Sequence, residues 1–199
     1  ELDSMGAQAN ALTYNEFTGY YARAEKKQWK RALDLISDMY QHPLIPAKDL
    51  EKERGVILQE ISMYEDLPQE KVGFLLMELL YGNTPAGRSI LGPKENIESF
   101  SRKNFLEYHK THYTAEKSIV VVVGDLKESQ VKSEILKQFK NISSGNKVGK
   151  LAVKENQRKP AMLISKKKTE QTHMIVAFQG FKGRDKRSLA LSLLAAVLG

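Results

Sequence analysis

Residues 53–60 read ERGVILQE, two glutamates seven positions apart inside a segment patterned as a helix. At about 100° per residue, seven steps return to within about 20° of the starting direction, so Glu53 and Glu60 stack on one face, two turns apart. Projected over residues 50–66, Leu50, Ile57, Ile61 and Tyr64 form one apolar stripe, and Val56 with Met63 a second beside it. The two glutamates fall between the stripes, while Glu51, Lys52, Gln59, Ser62, Glu65 and Asp66 project elsewhere, as a solvated face does. The helix therefore directs two carboxylates inward, where an unpaired charge is costly. Either Arg54 or a nearby lysine neutralises them, or they face something that requires negative charge.

Around this helix the chain alternates between strand and helix patterns. The opening ELDSMG reads as the last turn of a helix capped by Gly6. A β-hairpin follows, turning near Tyr14, Asn15 and Glu16. Residues 27–41 form an amphipathic helix with Trp29, Leu33, Ile36, Met39 and Tyr40 inward, stopped by HPLIP. The glutamate helix spans about 47–65, and Pro68 opens a third that closes at YGN. After a proline- and glycine-containing loop come short helices ending near Tyr113. SIVVVVG, at 118–124, has the continuous apolar character of a core strand, and a helix follows over 128–140. Residues 141–158 are polar and read as a linker, beyond which AMLISKK and THMIVAFQG are two strands and Asp185 begins a helix. The fold class is α+β, with helices packed on a mixed or antiparallel sheet, and the divisions are 1–150 and 151–199.

The 199 residues are 41% hydrophobic and 28% charged, the balance of a globular protein. A net charge of +7 arises mostly from scattered lysines, with one cluster at Lys166, Lys167 and Lys168. Without aromatic residues interleaved among them, these do not read as a nucleic-acid site. The absence of cysteine removes disulfides, thiolate metal sites and cysteine nucleophiles together. No apolar run has the length of a membrane span.

Several blocks carry a family likeness: LDSMGAQANALTYNEFTGYYA, LEKERGVILQEISMYEDLPQE, GRSILGPKENIESFSRKNFLEYHKTHYT and SIVVVVGDL. In this order and spacing the chain resembles the pitrilysin/insulinase family of zinc peptidases, in particular small members similar to mitochondrial processing peptidase. The resemblance implies Zn2+ held by two histidines of an H-x-x-E-H motif and by a glutamate on a later helix, here Glu60. Glu53 is then the supporting carboxylate. It also implies that an unfolded peptide or leader sequence pairs with the strand containing Asn10 and Ala11, as an added strand beside the zinc. Pairing into homo- or hetero-dimers and a cytoplasmic, bacterial setting belong to the same expectation, with neither nucleic acid nor membrane as partner.

No H-x-x-E-H occurs here. His42, His109, His112 and His173 lack its spacing, and the pair His109 and His112 falls in a block whose family role is structural. The resemblance places the motif and its general base upstream of Glu1, so the chain is expected to be an inactive fragment of a zinc metalloendopeptidase, N-terminally truncated in its first domain. The alternative is a non-catalytic capture or assembly subunit of the same family. Without an upstream cover, Glu53 and Glu60 are expected to meet water, or the chain to self-associate.

Overall fold

The structure, a computed structural model, describes residues 1–146, 149, 151–153, 157–182 and 184–198. Strand β1 (Gln8–Thr13) pairs antiparallel with β2 (Thr18–Arg23) in a two-stranded sheet. The Tyr14 N–H donates to the Phe17 carbonyl at 2.8 Å, closing the turn around Asn15 and Glu16, and the Tyr14 and Phe17 rings lie 5.0 Å apart. At the start, Asp3–Met5 is a single tight helical turn, and Gly6 caps it with φ 65°, a left-handed conformation that suits glycine.

Helix α1 (Trp29–Gln41) is entered through a tight turn over Lys26–Gln28 and packs against β2. Beyond it, Ile45 has φ 44°, an uncommon conformation for a β-branched residue. The following Pro46 disfavours the right-handed helical alternative at Ile45. The Arg102 guanidinium holds this turn by donating to the carbonyls of Ile45 at 2.7 Å and Leu44 at 3.0 Å.

Helices α2 (Ala47–Asp66) and α3 (Pro68–Tyr81) are separated only by Leu67. Leu67 precedes a proline and takes φ −90°, ψ 105°, outside the helical region, so the chain must turn there. The two helices contact each other, with the Tyr64 and Phe74 rings edge to face at 6.2 Å. Helix α4 (Lys94–Ser99) also packs on α2. Helix α5 (Arg102–His112) starts with a capping box in which the Ser101 side chain and the Asn104 side chain satisfy each other's backbone N–H. Helix α6 (Glu128–Gln138) packs on α1, and α7 (Ser188–Leu198) ends the described chain.

Ala7, Ala32, Ser37, Ile61 and Thr114 are buried among the described residues, and the larger side chains gather in two places. Tyr40 of α1 meets Tyr20 of β2, Tyr113 after α5 and Phe139 after α6 at ring separations of 6.1, 4.9 and 6.2 Å. Ile61 is the buried side chain of α2, between α3 and α4.

The three later strands expected from sequence form no ladder among the described residues. In the valine run, Ile119, Val121 and Val123 are 89%, 74% and 91% exposed. A strand is defined by hydrogen bonds to a neighbour, and among the described residues no neighbouring strand lies beside 118–123, 161–167 or 172–180. Within the expected linker, the Ser143 carbonyl accepts from the Ala115 N–H at 2.9 Å, and the Gly145 N–H donates to Glu116 at 2.5 Å. That part of the linker is docked on the turn after α5. The polar pattern that marks a loop does not decide whether the loop is attached.

Gly55 lies in the interior of α2, exposed, with open space where a side chain would project. Gly55→Ala is expected to raise stability by roughly 0.5–1 kcal/mol in urea unfolding, because alanine loses less backbone freedom. Gly82→Ala should lower it, since φ 57°, ψ −150° is a glycine conformation.

Candidate active site

Helix α2 turns one of its two apolar stripes into the molecule. Ile61 is buried, with Leu50, Ile57 and Tyr64 half-buried. The second stripe faces solvent, Val56 and Met63 being 47% and 51% exposed. This corrects the expectation that both glutamates point inward: Glu53, on the open side, is exposed, and Glu60, next to Ile61, is half-buried. Seven residues of helix separate them by about 10 Å along the axis.

Neither glutamate forms an ion pair among the described residues. Arg54, the expected neutralising partner, is engaged elsewhere. Its guanidinium takes Glu51 through Nε at 3.1 Å and Nη2 at 3.0 Å. It also donates to the Phe100 carbonyl at 2.7 Å and to the Ile97 carbonyl, at the end of α4. Those carbonyls carry the negative end of the helix and lack intrahelical partners, so a cation with a forked set of donors suits them. Glu51 loses its proton more readily through the hydrogen bond and charge of Arg54.

On β1, the turn hydrogen bond fixes which backbone groups are free. Tyr14 and Phe17 form a bonded pair, so by alternation Leu12 with Gly19, Asn10 with Tyr21 and Gln8 with Arg23 are bonded pairs too. The N–H and C=O groups of Ala9, Ala11 and Thr13 consequently point to the open edge of the sheet. The Asn10 side-chain carbonyl accepts the Ala11 N–H at 2.8 Å. Asn10 and Ala11 are both exposed, and successive side chains of a strand take opposite faces. Asn10 shares its face with Tyr21, whereas Ala11 shares its face with Tyr20.

Tyr20 anchors the hairpin through a hydrogen bond between its hydroxyl and that of Tyr113 at 3.1 Å. Burial, followed by this hydrogen bond, pushes the Tyr113 phenol well above its ordinary value. His109 stacks on Tyr113 at 4.4 Å, and its Nε2 donates to the Tyr40 carbonyl at 2.7 Å. His112 stacks on Tyr108 at 4.2 Å and is shifted down by burial and then by Lys117. Both histidines have aromatic partners, and neither joins a metal-holding group.

Among the described residues no three His, Cys, Asp or Glu side chains converge as a metal site would require. Glu60 offers a single carboxylate, short of the three protein ligands of a catalytic zinc centre. The described residues therefore do not supply a zinc centre by themselves. No described helix is long and apolar enough to cross a membrane.

Residues 1–94 match the insulinase family (peptidase family M16), and residues 99–199 match the peptidase M16 inactive domain. The chain belongs to the M16 peptidase family. It is 34% identical over its whole length to the uncharacterized zinc protease YmxG of Bacillus subtilis, covering 48% of that protein. It is 40% identical over 131 residues to the human mitochondrial-processing peptidase subunit beta, covering 66% of the chain and 27% of the subunit. The chain thus spans at most about half the length of these two relatives. The crystal structure of a peptidase M16 inactive domain from Pseudomonas fluorescens matches 76% of the chain and 37% of its own, with TM-score 0.70 at 20% identity. A protease from Helicobacter pylori matches 77% and 38%, with TM-score 0.68 at 20% identity. These likenesses agree with the α+β class and with the zinc-peptidase resemblance.

No sequence pattern marks the contacts of Arg54 or the tyrosine cluster. The acceptors of Arg54 are backbone carbonyls on another helix, which no side-chain pattern reveals. Arg54→Met, which keeps the stem and removes the fork, is expected to lower the thermal midpoint by several degrees. Glu51→Gln should lower it less, because that ion pair is exposed.

The Tyr113 shift gives an alkaline prediction. The folded state holds the phenol proton to higher pH than the unfolded state, whose value is near 10.0. Stability from this group is complete below that value and declines as pH rises beyond it. Tyr113→Phe should reduce the loss of stability between about pH 9 and pH 11, followed by urea midpoints.

Proposed function

We propose that the chain is part of a zinc-dependent metalloendopeptidase that cleaves unfolded peptides or leader sequences. The observation that supports this most directly is the pair Glu53 and Glu60, kept on one side of α2 without an ion-pair partner among the described residues. Two such carboxylates add nothing evident to the packing of a structural helix. In a zinc peptidase of this family, Glu60 is one metal ligand and Glu53 a supporting carboxylate, the other ligands and the general base coming from outside these residues. In this reading residues 1–150 belong to the peptidase domain, and 151–199 begin a second, similar domain.

The substrate reading rests on β1. Three residues, Ala9, Ala11 and Thr13, offer free backbone groups along one edge, so an extended peptide pairs there with little regard to its side chains. The Asn10 carbonyl already satisfies one of those donors, and an arriving peptide carbonyl at Ala11 replaces it. Asn10 and Ala11 cannot both touch a substrate side chain on one face. Ala11 acts through its backbone, and its small side chain leaves room.

The second reading, a non-catalytic capture or assembly subunit, keeps the same strand edge and needs no zinc. It too fits a relative named as one subunit of a processing peptidase, and pairing with a second copy or a related subunit belongs to both readings. Zinc stoichiometry separates the two. In a protein extended to the length of its relatives, the enzyme reading expects one zinc per chain and sharply less after Glu60→Gln. Absence of zinc from both versions favours the capture subunit. Residues 1–199 alone are expected to hydrolyse no peptide, with or without added zinc.

A further inference from the structure

An open groove of about 730 Å³ lies between the start of α1 and the turn into α6. We infer that this groove is a docking surface for an extended acidic peptide segment of a partner protein. Its walls are Lys26, Lys27 and Lys30 on one side and Lys127 on the other, with Trp29 and Leu126 as half-buried apolar surface between them. Four lysines line it against a single aspartate, Asp125. The inference is independent of the peptidase reading and of zinc.

The lysines already take carboxylates from the chain itself. Lys26 bonds Asp125 across the groove at 2.6 Å, and Lys27 bonds Glu25 at 2.7 Å. Lys30 stands 3.9 Å from Glu134, with its ammonium 5.7 Å from the Trp29 ring centre. Lys127 has no ion pair among the described residues. Asp125 is 95% exposed, and exposed pairs of this kind contribute little, so an arriving carboxylate exchanges with it at small cost. With Glu25 and Glu134 counted beside Asp125, the lysines keep a surplus of one positive charge, at Lys127, and this together with the apolar surface of Trp29 and Leu126 favours the incoming segment.

The arrangement selects the kind of partner. A small anion in the place of Asp125 meets Lys26 and at most one further lysine, whereas several carboxylates along an extended segment reach lysines on both sides. The groove contains no arginine, whose forked donors suit phosphate. One half-buried indole without further aromatic residues is a poor platform for stacked bases.

Trp29 is the chain's one tryptophan, so its fluorescence reports on the groove directly. Titration of the 199-residue chain with a hexaglutamate peptide at low salt should give a saturable change in emission that weakens as salt is raised to about 0.15 M. The double variant Lys26→Glu with Lys127→Glu should weaken binding by at least about tenfold while far-UV circular dichroism stays unchanged. Lys110→Glu with Lys103→Glu, the same charge change on α5, should leave it within about twofold. Equal weakening in the α5 variant would mean undirected attraction to a basic protein and would overturn the proposal. So would a titration in which hexaglutamate produces no saturable change, or in which inorganic phosphate or a single-stranded oligonucleotide binds as tightly as hexaglutamate.

Discussion

The rotation of α2 about its own axis decides what this part of the molecule presents to solvent, and Arg54 helps to set it. The guanidinium is anchored to two carbonyls at the end of α4, while Ile61 is buried on the inward side of the same helix. A turn of 100° in either direction would carry Arg54 away from its acceptors and bring Glu60 or Ser62 to the Ile61 position. With both contacts made, Val56, Met63 and Glu53 are left on the open side, and Glu60 sits at the margin. The position of the glutamates is therefore a consequence of interactions that do not involve them. An exposed carboxylate contributes little to packing, so the helix can carry one there at small cost.

The hairpin depends on a different kind of contact. A two-stranded ribbon is marginal alone in water. Here its second strand is secured by Tyr20, which packs against Tyr40 and bonds the Tyr113 hydroxyl. Tyr40 in turn bonds the Ser118 hydroxyl at 2.6 Å, and His109 bonds the Tyr40 carbonyl. One side of the sheet is thus tied to α1 and α5, while the other strand keeps a free edge. Short length, the polar Asn10 and the occupied Ala11 donor all make that edge less adhesive to other strands.

The elements legible in the sequence were those specified locally. The periodicity of residues 27–41 and 47–65, the proline at 68 and the turn at Asn15 act within a few residues of themselves, and each element appears within two residues of its expected bounds. The seven-residue spacing placed Glu53 and Glu60 on one face, but could not tell which of two adjacent apolar stripes would be covered. That depends on α3 and α4, and they cover only the Ile61 side. The role of Arg54 was hidden for a related reason: its acceptors lie 43 and 46 residues away and belong to the backbone. Strands are the extreme case. Apolar composition gives a segment the capacity to lie in a sheet, but the ladder itself is a property of two segments.

The valine run makes that distinction concrete. A strand covered on both faces reads as continuous apolar residues, whereas one covered on a single face alternates. Residues 119–123, IVVVV, have the first pattern, yet Ile119, Val121 and Val123 stand largely in water. The composition is thus matched to contacts on both sides that the described residues do not supply. Exposed apolar surface of this kind associates with whatever complementary surface is available. The glutamate face behaves oppositely, since Glu53 is exposed to water and gains nothing from unspecific apolar contact. A divalent ion would change that only if further donors were held close to Glu60, because a single mobile carboxylate offers neither the ligand number nor the geometry of a tight zinc centre. The two surfaces therefore differ in what completes them: the valine run accepts any apolar cover of suitable shape, while Glu60 requires particular ligands at particular distances.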